Sequence, residues 1–245
     1  MTIAIIPDMH GRNNWEKVKS LEFDVCISLG DWFDSFDIPC EKQIENFKNY
    51  MSWVKEDPLH RLSCIGNHDF HYIWPNLSNS IASGYQDEHA EEIREVLLEN
   101  IMYFNIFIRV DDIYFSHAGF TKKWIKQYNV NMKTLNSSWA SDATVASKLC
   151  FQTNDSLSFD EHGDDVFQGP IWTRPRSLMI NSNYNYQVVG HTELEYDDWL
   201  WLKRNNVHVI FTDSPEHDKV HLLKVDDIKN DELYSKLTFD VKRKL

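Results

Sequence analysis

Basic residues are scarce in this chain. Over 245 residues, Lys and Arg number 25 against 38 Asp and Glu, a formal charge of −13. Such a surface repels a nucleic-acid backbone and an anionic membrane, so neither long duplex nucleic acid nor a membrane is expected as a partner. An anionic substrate then needs local compensation, and bound divalent cations would supply it. Cysteine is scarce as well. Cys26, Cys40, Cys64 and Cys150 form no C-x-x-C pair. This leaves reduced, small-hydrophobe cysteines in a cytoplasmic protein as the reading, with Cys26 and Cys64 inside expected buried strands. No apolar run approaches the ~20 residues that span a bilayer. No basic region followed by a long apolar stretch opens the chain, so no signal peptide is expected. There is no internal repeat and no low-complexity linker.

What is present is a folded, aromatic-rich sequence. The hydrophobic fraction of 42% and nine Trp rule out disorder. The length suits one large α/β domain, or one domain with an insertion, here expected as a partly helical insertion or lid at about 121–180. Thr2–Pro7, Asp24–Leu29 and Arg61–Ile65 are short apolar runs that read as buried strands. Helices are expected from Trp15 to Ser20 and from Glu41 to Lys55, the latter with Ile44, Phe47, Met51 and Val54 at helical spacing. This alternation predicts a parallel sheet, and in such sheets ligands collect at the carboxyl ends of the strands.

Each of these strands runs into polar residues. The first delivers Asp8-Met9-His10-Gly11, where Asp8 and His10 alternate along an extended backbone, so both side chains point to one side. The second delivers Gly30-Asp31-Trp32-Phe33-Asp34, and the third Gly66-Asn67-His68-Asp69. Residues 71–89 read as a loop bordering the cleft, followed by a helix over Ala90–Asn100. Met102–Val110 and Ile113–Ser116 read as a hairpin turning at Asp111-Asp112 and ending in His117-Ala118-Gly119. Tyr186–Val189 is a strand ending in Gly190-His191-Thr192. Val207–Thr212 and Val220–Val225 look like strands closing a second sheet, while His208, His217 and His221 read as structural or exposed. The acidic stretch with Asp155, Asp160, Glu161, Asp164 and Asp165 reads as a solvated loop. Near it, Trp172-Thr173-Arg174-Pro175-Arg176 offers guanidinium groups able to grip phosphate in a bidentate way.

Asp8, His10, Asp31, Asn67, His117 and His191 are thus six candidate ligands without a thiolate. Mixed nitrogen and oxygen donors suit Mn, Fe, Zn, Co or Ni better than Ca. Shared over two ions, with Asp31 bridging, they would leave positions open for water and substrate. Such ions sit ~3.5–4 Å apart, the spacing at which a hydroxide held between them attacks phosphorus in line. His68, with an ordinary pKa near neutrality, is placed to protonate a leaving oxygen.

The blocks D-M-H-G, G-D-W-F-D, G-N-H-D, H-A-G and G-H-T, in this order over residues 8 to 192, resemble the calcineurin-like metallophosphoesterase superfamily. They are most similar to its phosphoprotein phosphatase branch, including bacterial and phage phosphatases. The resemblance implies two packed mixed β-sheets flanked by helices, in four αββα layers. It implies a first metal on Asp8, His10 and Asp31, and a second on Asp31, Asn67, His117 and His191. It further implies His68 as general acid oriented by Asp34, and Arg174 as phosphate ligand, with Arg12 and Arg176 as alternatives. The chain also departs from the pattern. The phosphatase branch continues its second block as D-R-G, whereas Ser35-Phe36 follow Asp34 here. G-N-H-D in place of G-N-H-E is similar to the branch that includes diadenosine tetraphosphate hydrolases, and the last block lacks a second His. The expected function is therefore metal-dependent, manganese foremost, hydrolysis of a phosphomonoester, on a phosphorylated small molecule, nucleotide or protein. Hydrolysis of a nucleotide diester or dinucleoside polyphosphate is the alternative, and a non-catalytic module on the same scaffold is the third.

Overall fold

The computed structural model describes residues 1–77, 79–152, 164–193, 199–213 and 219–236. The chain opens with β1 (Thr2–Ile6), a 3₁₀ helix (Asn14–Ser20), β2 (Val25–Ser28), α1 (Cys40–Glu56), β3 (Arg61–Cys64), α2 (Asn67–Ile73) and α3 (Ala90–Glu99). It continues through β4 (Phe104–Asn105), β5 (Ile108–Val110), β6 (Ile113–Phe115), α4 (Lys122–Gln127), α5 (Leu135–Ser138), α6 (Ala143–Ser147) and α7 (Pro175–Asn181). Then follow β7 (Tyr186–Val189), β8 (Leu200–Arg204), β9 (Val207–Phe211), β10 (His221–Lys224), α8 (Val225–Ile228) and β11 (Ser235–Lys236).

The strands form two mixed sheets, ordered β10-β1-β2-β3-β4 and β11-β8-β9-β7-β6-β5. Period-two alternation decides how they pack, because successive side chains leave opposite faces of a strand. Along β1, Ile3 and Ile5 enter one apolar cluster with Ile27, Phe115, Val188 and Ile210, between the two sheets. Ala4 and Ile6 enter another with Ile44, Phe47, Met51 and Val54 of α1, and with Ile93 and Leu97 of α3. On the far side, Val189, Val209 and Phe211 meet Leu178 and Met179 of α7. Two mixed sheets are thus flanked by helices, as expected. Trp124 of α4, Leu135 of α5 and Ala146 of α6 join the cluster that holds α1. Among the described residues no helix is long and apolar enough to cross a membrane. All four cysteines are buried free thiols. Burial pushes Cys40 up to about 12 and Cys150 to about 11, so neither thiol is reactive near neutrality.

Several elements differ from expectation. The strand expected over Met102–Val110 is broken: Ile101–Tyr103 is a 3₁₀ helix, β4 pairs in parallel with β3, and only β5 forms the antiparallel hairpin with β6. The chain therefore changes sheets at Ile106-Phe107. Asn136 secures the crossing: its side-chain oxygen accepts from the backbone N–H of Ile106 (2.8 Å) and Phe107 (3.2 Å), and its amide donates to Phe107 O (2.8 Å). β10 closes the first sheet rather than the second, covering the β1 edge through an antiparallel ladder from Thr2↔Lys224 to Ile5↔His221. Hydrophobic alternation fixes which face of a strand is buried but not which strand lies beside it. β8 was not anticipated, and Trp15–Ser20 lies within a 3₁₀ rather than an α-helix. The described part of the acidic stretch is not a solvated loop. Asp165 is buried, and Asp164 accepts from the backbone N–H of Ser177 in the first turn of α7. Asp155, Asp160, Glu161 and His217 lie outside the described residues. His208 is structural, its Nε2 lying 2.6 Å from the Asp231 carboxylate.

Replacing Asn136 by Ala should leave two backbone N–H groups at the sheet crossing without their acceptor. The expected loss is about 1–3 kcal/mol, the cost of unsatisfied buried donors. An unchanged urea midpoint would show that the crossing holds without this side chain.

Candidate metal centre

The parallel arrangement of β1, β2 and β3 brings their carboxyl ends to one edge, and that of β6 and β7 does the same in the second sheet. The two edges meet. His117 Nδ1, after β6, lies 2.9 Å from the carbonyl of Leu29, after β2. The backbone N–H of His191, after β7, donates to Asp8 Oδ2, after β1, at 2.8 Å.

The second block shows how sequence sets this geometry. Trp32 and Phe33 are fully buried, Trp32 stacked on Tyr50 at 4.0 Å and Phe33 tilted against Phe47 at 5.1 Å. With its two central residues in the core, the D-W-F-D loop must turn its carboxylates the other way. Asp31 and Asp34 do so in left-handed backbone, at φ 54° and 68°. The Asp69 carboxylate accepts from the backbone N–H groups of Asp31 (2.8 Å), Trp32 (2.7 Å) and Gly66 (3.1 Å) and locks the turn. The carbonyl of Asp31 in turn accepts from the N–H groups of Met9 (3.0 Å) and His10 (2.7 Å). His10 also has positive φ, 42°, so the β1 exit is a turn. The expectation that an extended backbone aligns Asp8 with His10 is corrected by these two hydrogen bonds, which bend the chain over Asp31.

Asp31 sits in two groups of ligand-type side chains, one with His10 and His68 and the other with His117 and His191. Asn67 Oδ1 lies 2.9 Å from His117 Nε2, His191 Nδ1 lies 3.1 Å from it, and Asp31 Oδ2 3.3 Å. A carbonyl can only accept, so the Leu29 contact assigns the proton of the neutral His117 ring to Nδ1. Its Nε2 then presents a lone pair to two oxygens that are also acceptors. The same logic holds for His10, whose Nδ1 meets the carbonyl of Phe33 at 2.8 Å and whose Nε2 lies 3.7 Å from Asp31 Oδ2. Backbone partners that fix the tautomer are the usual outer support of metal-ligating histidines. Asp8 Oδ1 and His191 Nε2 are buried without a hydrogen-bond partner among the described residues. Converging acceptors with no proton between them are unfavourable unless a cation joins them, so the donor set fits divalent metal.

Charge follows the same pattern. Burial and the carboxylates of Asp213 and Asp31 push Asp8 well above the ordinary range. Burial also raises Asp31, but positive charge beside it, from His117 and His68 where these rings are protonated, outweighs burial and holds this carboxylate well below that range. Burial lowers His10 to about 4 and holds His191 well below its ordinary value, so both rings stay neutral near pH 7. For His68, burial is outweighed by the charge of Asp31 and by the hydrogen bond to Asp34, and the ring is raised above its ordinary value. His68 Nδ1 lies 2.8 Å from Asp34 Oδ2.

A family model described as calcineurin-like phosphoesterase matches residues 1–212. The chain belongs to the calcineurin-like phosphoesterase family. It is therefore a hydrolase of phosphoester bonds, in a metal-dependent and typically two-metal family. No curated protein matches this phosphoesterase by sequence. Among solved structures it is similar to a cold-active protein-tyrosine phosphatase of a psychrophilic Shewanella species, with TM-score 0.58 and 19% identity, over 92% of this chain and 76% of that one. It is also similar to a protein serine/threonine phosphatase from Saccharomyces cerevisiae, with TM-score 0.53 and 12% identity, over 87% and 67%.

The arginines are placed differently from one another. Arg174 precedes α7 and donates from Nη1 to the carbonyl of His191 (3.2 Å) and to Thr192 Oγ1 (3.1 Å), at the edge of the centre. Arg12 is half-buried and donates to the carbonyl of Met9 at 3.3 Å. Arg176 is exposed in the first turn of α7. Three groups around the centre escaped the sequence reading: Asp213 beside Asp8, and His71 and Tyr72 beside Asp34. The last two carried a signal, since His68, His71 and Tyr72 stand at i, i+3 and i+4 and share a helix face. Reading residues 71–89 as loop hid it, because α2 runs on to Ile73.

Gly66 is required by close approach. A Cβ there would lie 2.0 Å from Asp31 Oδ1. Gly66→Ala should displace the shared carboxylate and lower bound divalent metal, by roughly the 10–100-fold typical of disrupted ligand support. Elemental analysis of the purified variant measures this, and wild-type metal content would refute it.

Proposed function

We propose that this phosphoesterase hydrolyses phosphate monoesters at a two-metal centre. The first ion is held by Asp8, His10 and Asp31, the second by Asp31, Asn67, His117 and His191. The observation that carries the reading is the position of Asp31 Oδ2, which faces both His10 Nε2 and His117 Nε2 and so belongs to both ligand groups. The donor set of carboxylates, imidazoles and one amide favours manganese, with iron, zinc, cobalt or nickel as alternatives. Bound there, the ions supply Lewis acidity and charge neutralisation at the phosphoryl group. The rest is done by side chains. Arg174, anchored on His191 and Thr192, orients the phosphate. His68 donates a proton from Nε2 to the leaving oxygen, while its Nδ1 stays on Asp34. That hydrogen bond suits His68 as acid rather than ligand, and the neutral rings of His10 and His191 suit the opposite role.

Two solved structures similar in fold are described as a protein-tyrosine phosphatase and a protein serine/threonine phosphatase, which favours a phosphorylated protein or peptide among the monoesters. We read residues 1–245 as one phosphoesterase domain in which 121–180 is an insertion, since α4 to α6 pack into the core shared with α1. The reduced thiols fit a cytoplasmic setting.

Purified protein with Mn²⁺ should hydrolyse p-nitrophenyl phosphate faster than bis-p-nitrophenyl phosphate. Chelation should abolish turnover and Mn²⁺ should restore it. Asp31→Asn should lower the rate by orders of magnitude. Faster cleavage of the diester would favour a phosphodiesterase, and no turnover with any of the five metals would sink the proposal.

A further inference from the structure

Asp34 is held by more than the histidine it orients. Its Oδ2 lies 2.8 Å from His68 Nδ1 and 2.9 Å from His71 Nε2, and its Oδ1 accepts from the Tyr72 hydroxyl. The proton positions are assigned by what stands behind each donor. His71 Nδ1 accepts from the backbone N–H of Ala82 at 3.0 Å, so the proton of the neutral ring is on Nε2, which lies against Asp34 Oδ2 but off the line of a hydrogen bond. The Tyr72 hydroxyl accepts from the backbone N–H of Gln86 at 2.9 Å, so its own proton also goes to Asp34. Both side chains are fully buried. Tyr85 closes over them, its ring 4.8 Å from His71 and 4.7 Å from Tyr72, stacked on the latter. Gly84 brings the same loop against Asp34, where an added Cβ would lie 3.3 Å from Asp34 Cβ.

A carboxylate fixed by one hydrogen bond can pivot about its terminal torsion, whereas one fixed on both oxygens cannot. The direction of the Asp34 lone pair that meets His68 is thereby set by α2 and the 82–86 loop. We propose that His71 and Tyr72 are positioning residues for the proton donor, a clamp that acts on His68 through Asp34. The inference rests on the reading of His68 as general acid given above. In that step the oxygen of a water molecule bonds to phosphorus as the ester P–O bond breaks, and the proton leaves His68 Nε2 and appears on the departing alcohol. His68 is left neutral, with its Nδ1–H still on Asp34.

Leaving-group dependence separates this role from a purely structural one. An alkyl phosphate must have its leaving oxygen protonated, whereas p-nitrophenolate departs without help. Tyr72→Phe keeps the ring packed against Tyr85 and removes only the hydroxyl. With Mn²⁺ present, its kcat on an alkyl phosphate should fall by about 10–100-fold, the cost of slight misplacement of a reacting group. KM and bound manganese should be unchanged, and kcat on p-nitrophenyl phosphate should stay within about threefold. His71→Gln, whose amide can reach the place of Nε2, should retain more alkyl phosphatase activity than His71→Ala; this pair decides the matter if Tyr72→Phe does not fold. Equal losses on both substrates, or no loss on either, overturn the clamp. His68→Asn is the reference. If it shows the leaving-group dependence and Tyr72→Phe does not, the clamp alone is wrong. If His68→Asn shows none, the general-acid assignment fails and the clamp with it.

Discussion

A carboxylate withdrawn from water is costly unless charge or hydrogen bonds replace its hydration. Asp31 is 2% exposed and in left-handed backbone; the backbone N–H of His68 donates to its Oδ1, while its Oδ2 faces the Nε2 atoms of His10 and His117. The fold is arranged to hold it there. Trp32 and Phe33 pull the loop into the core beneath it. Asp69 fixes its backbone from α2, and its own carbonyl bends the β1 exit over it. Remove that carboxylate and the two ligand groups lose their shared member.

Histidine chemistry in the centre follows from what each ring's second nitrogen meets. His10 and His117 meet backbone carbonyls, which accept a proton's hydrogen bond but carry no full charge, and their Nε2 atoms are left as donors to a cation. His68 meets a carboxylate, which favours the charged ring. In the function proposed above, one residue type thus serves as ligand and as acid within a few ångströms, and the partner behind the ring makes the distinction.

Two sheets are needed for this because their edges supply different halves. The first offers Asp8, Asp31 and Asn67 from three parallel strand ends, and the second offers His117 and His191 from two. The His117–Leu29 and His191–Asp8 hydrogen bonds span the joint between them. A chain that failed to change sheets at Ile106-Phe107 would deliver His117 to the wrong edge.

Local chemistry decided a good part of this protein. The apolar runs of β1, β2 and β3, the helical stripe Ile44, Phe47, Met51 and Val54, and the polar residues following each strand are short-range patterns, and the six ligand candidates were legible from them together with the family blocks. Tertiary contacts decided the rest. Which sheet receives β4 and β10 depends on a partner strand distant in sequence, and alternation is blind to it. The turn at His10 depends on the carbonyl of Asp31, more than twenty residues away. The clamp on Asp34 needs backbone groups from the 82–86 loop to fix its protons. Hydrogen-bond direction and neighbour identity are set by packing, and no spacing rule along the chain encodes them.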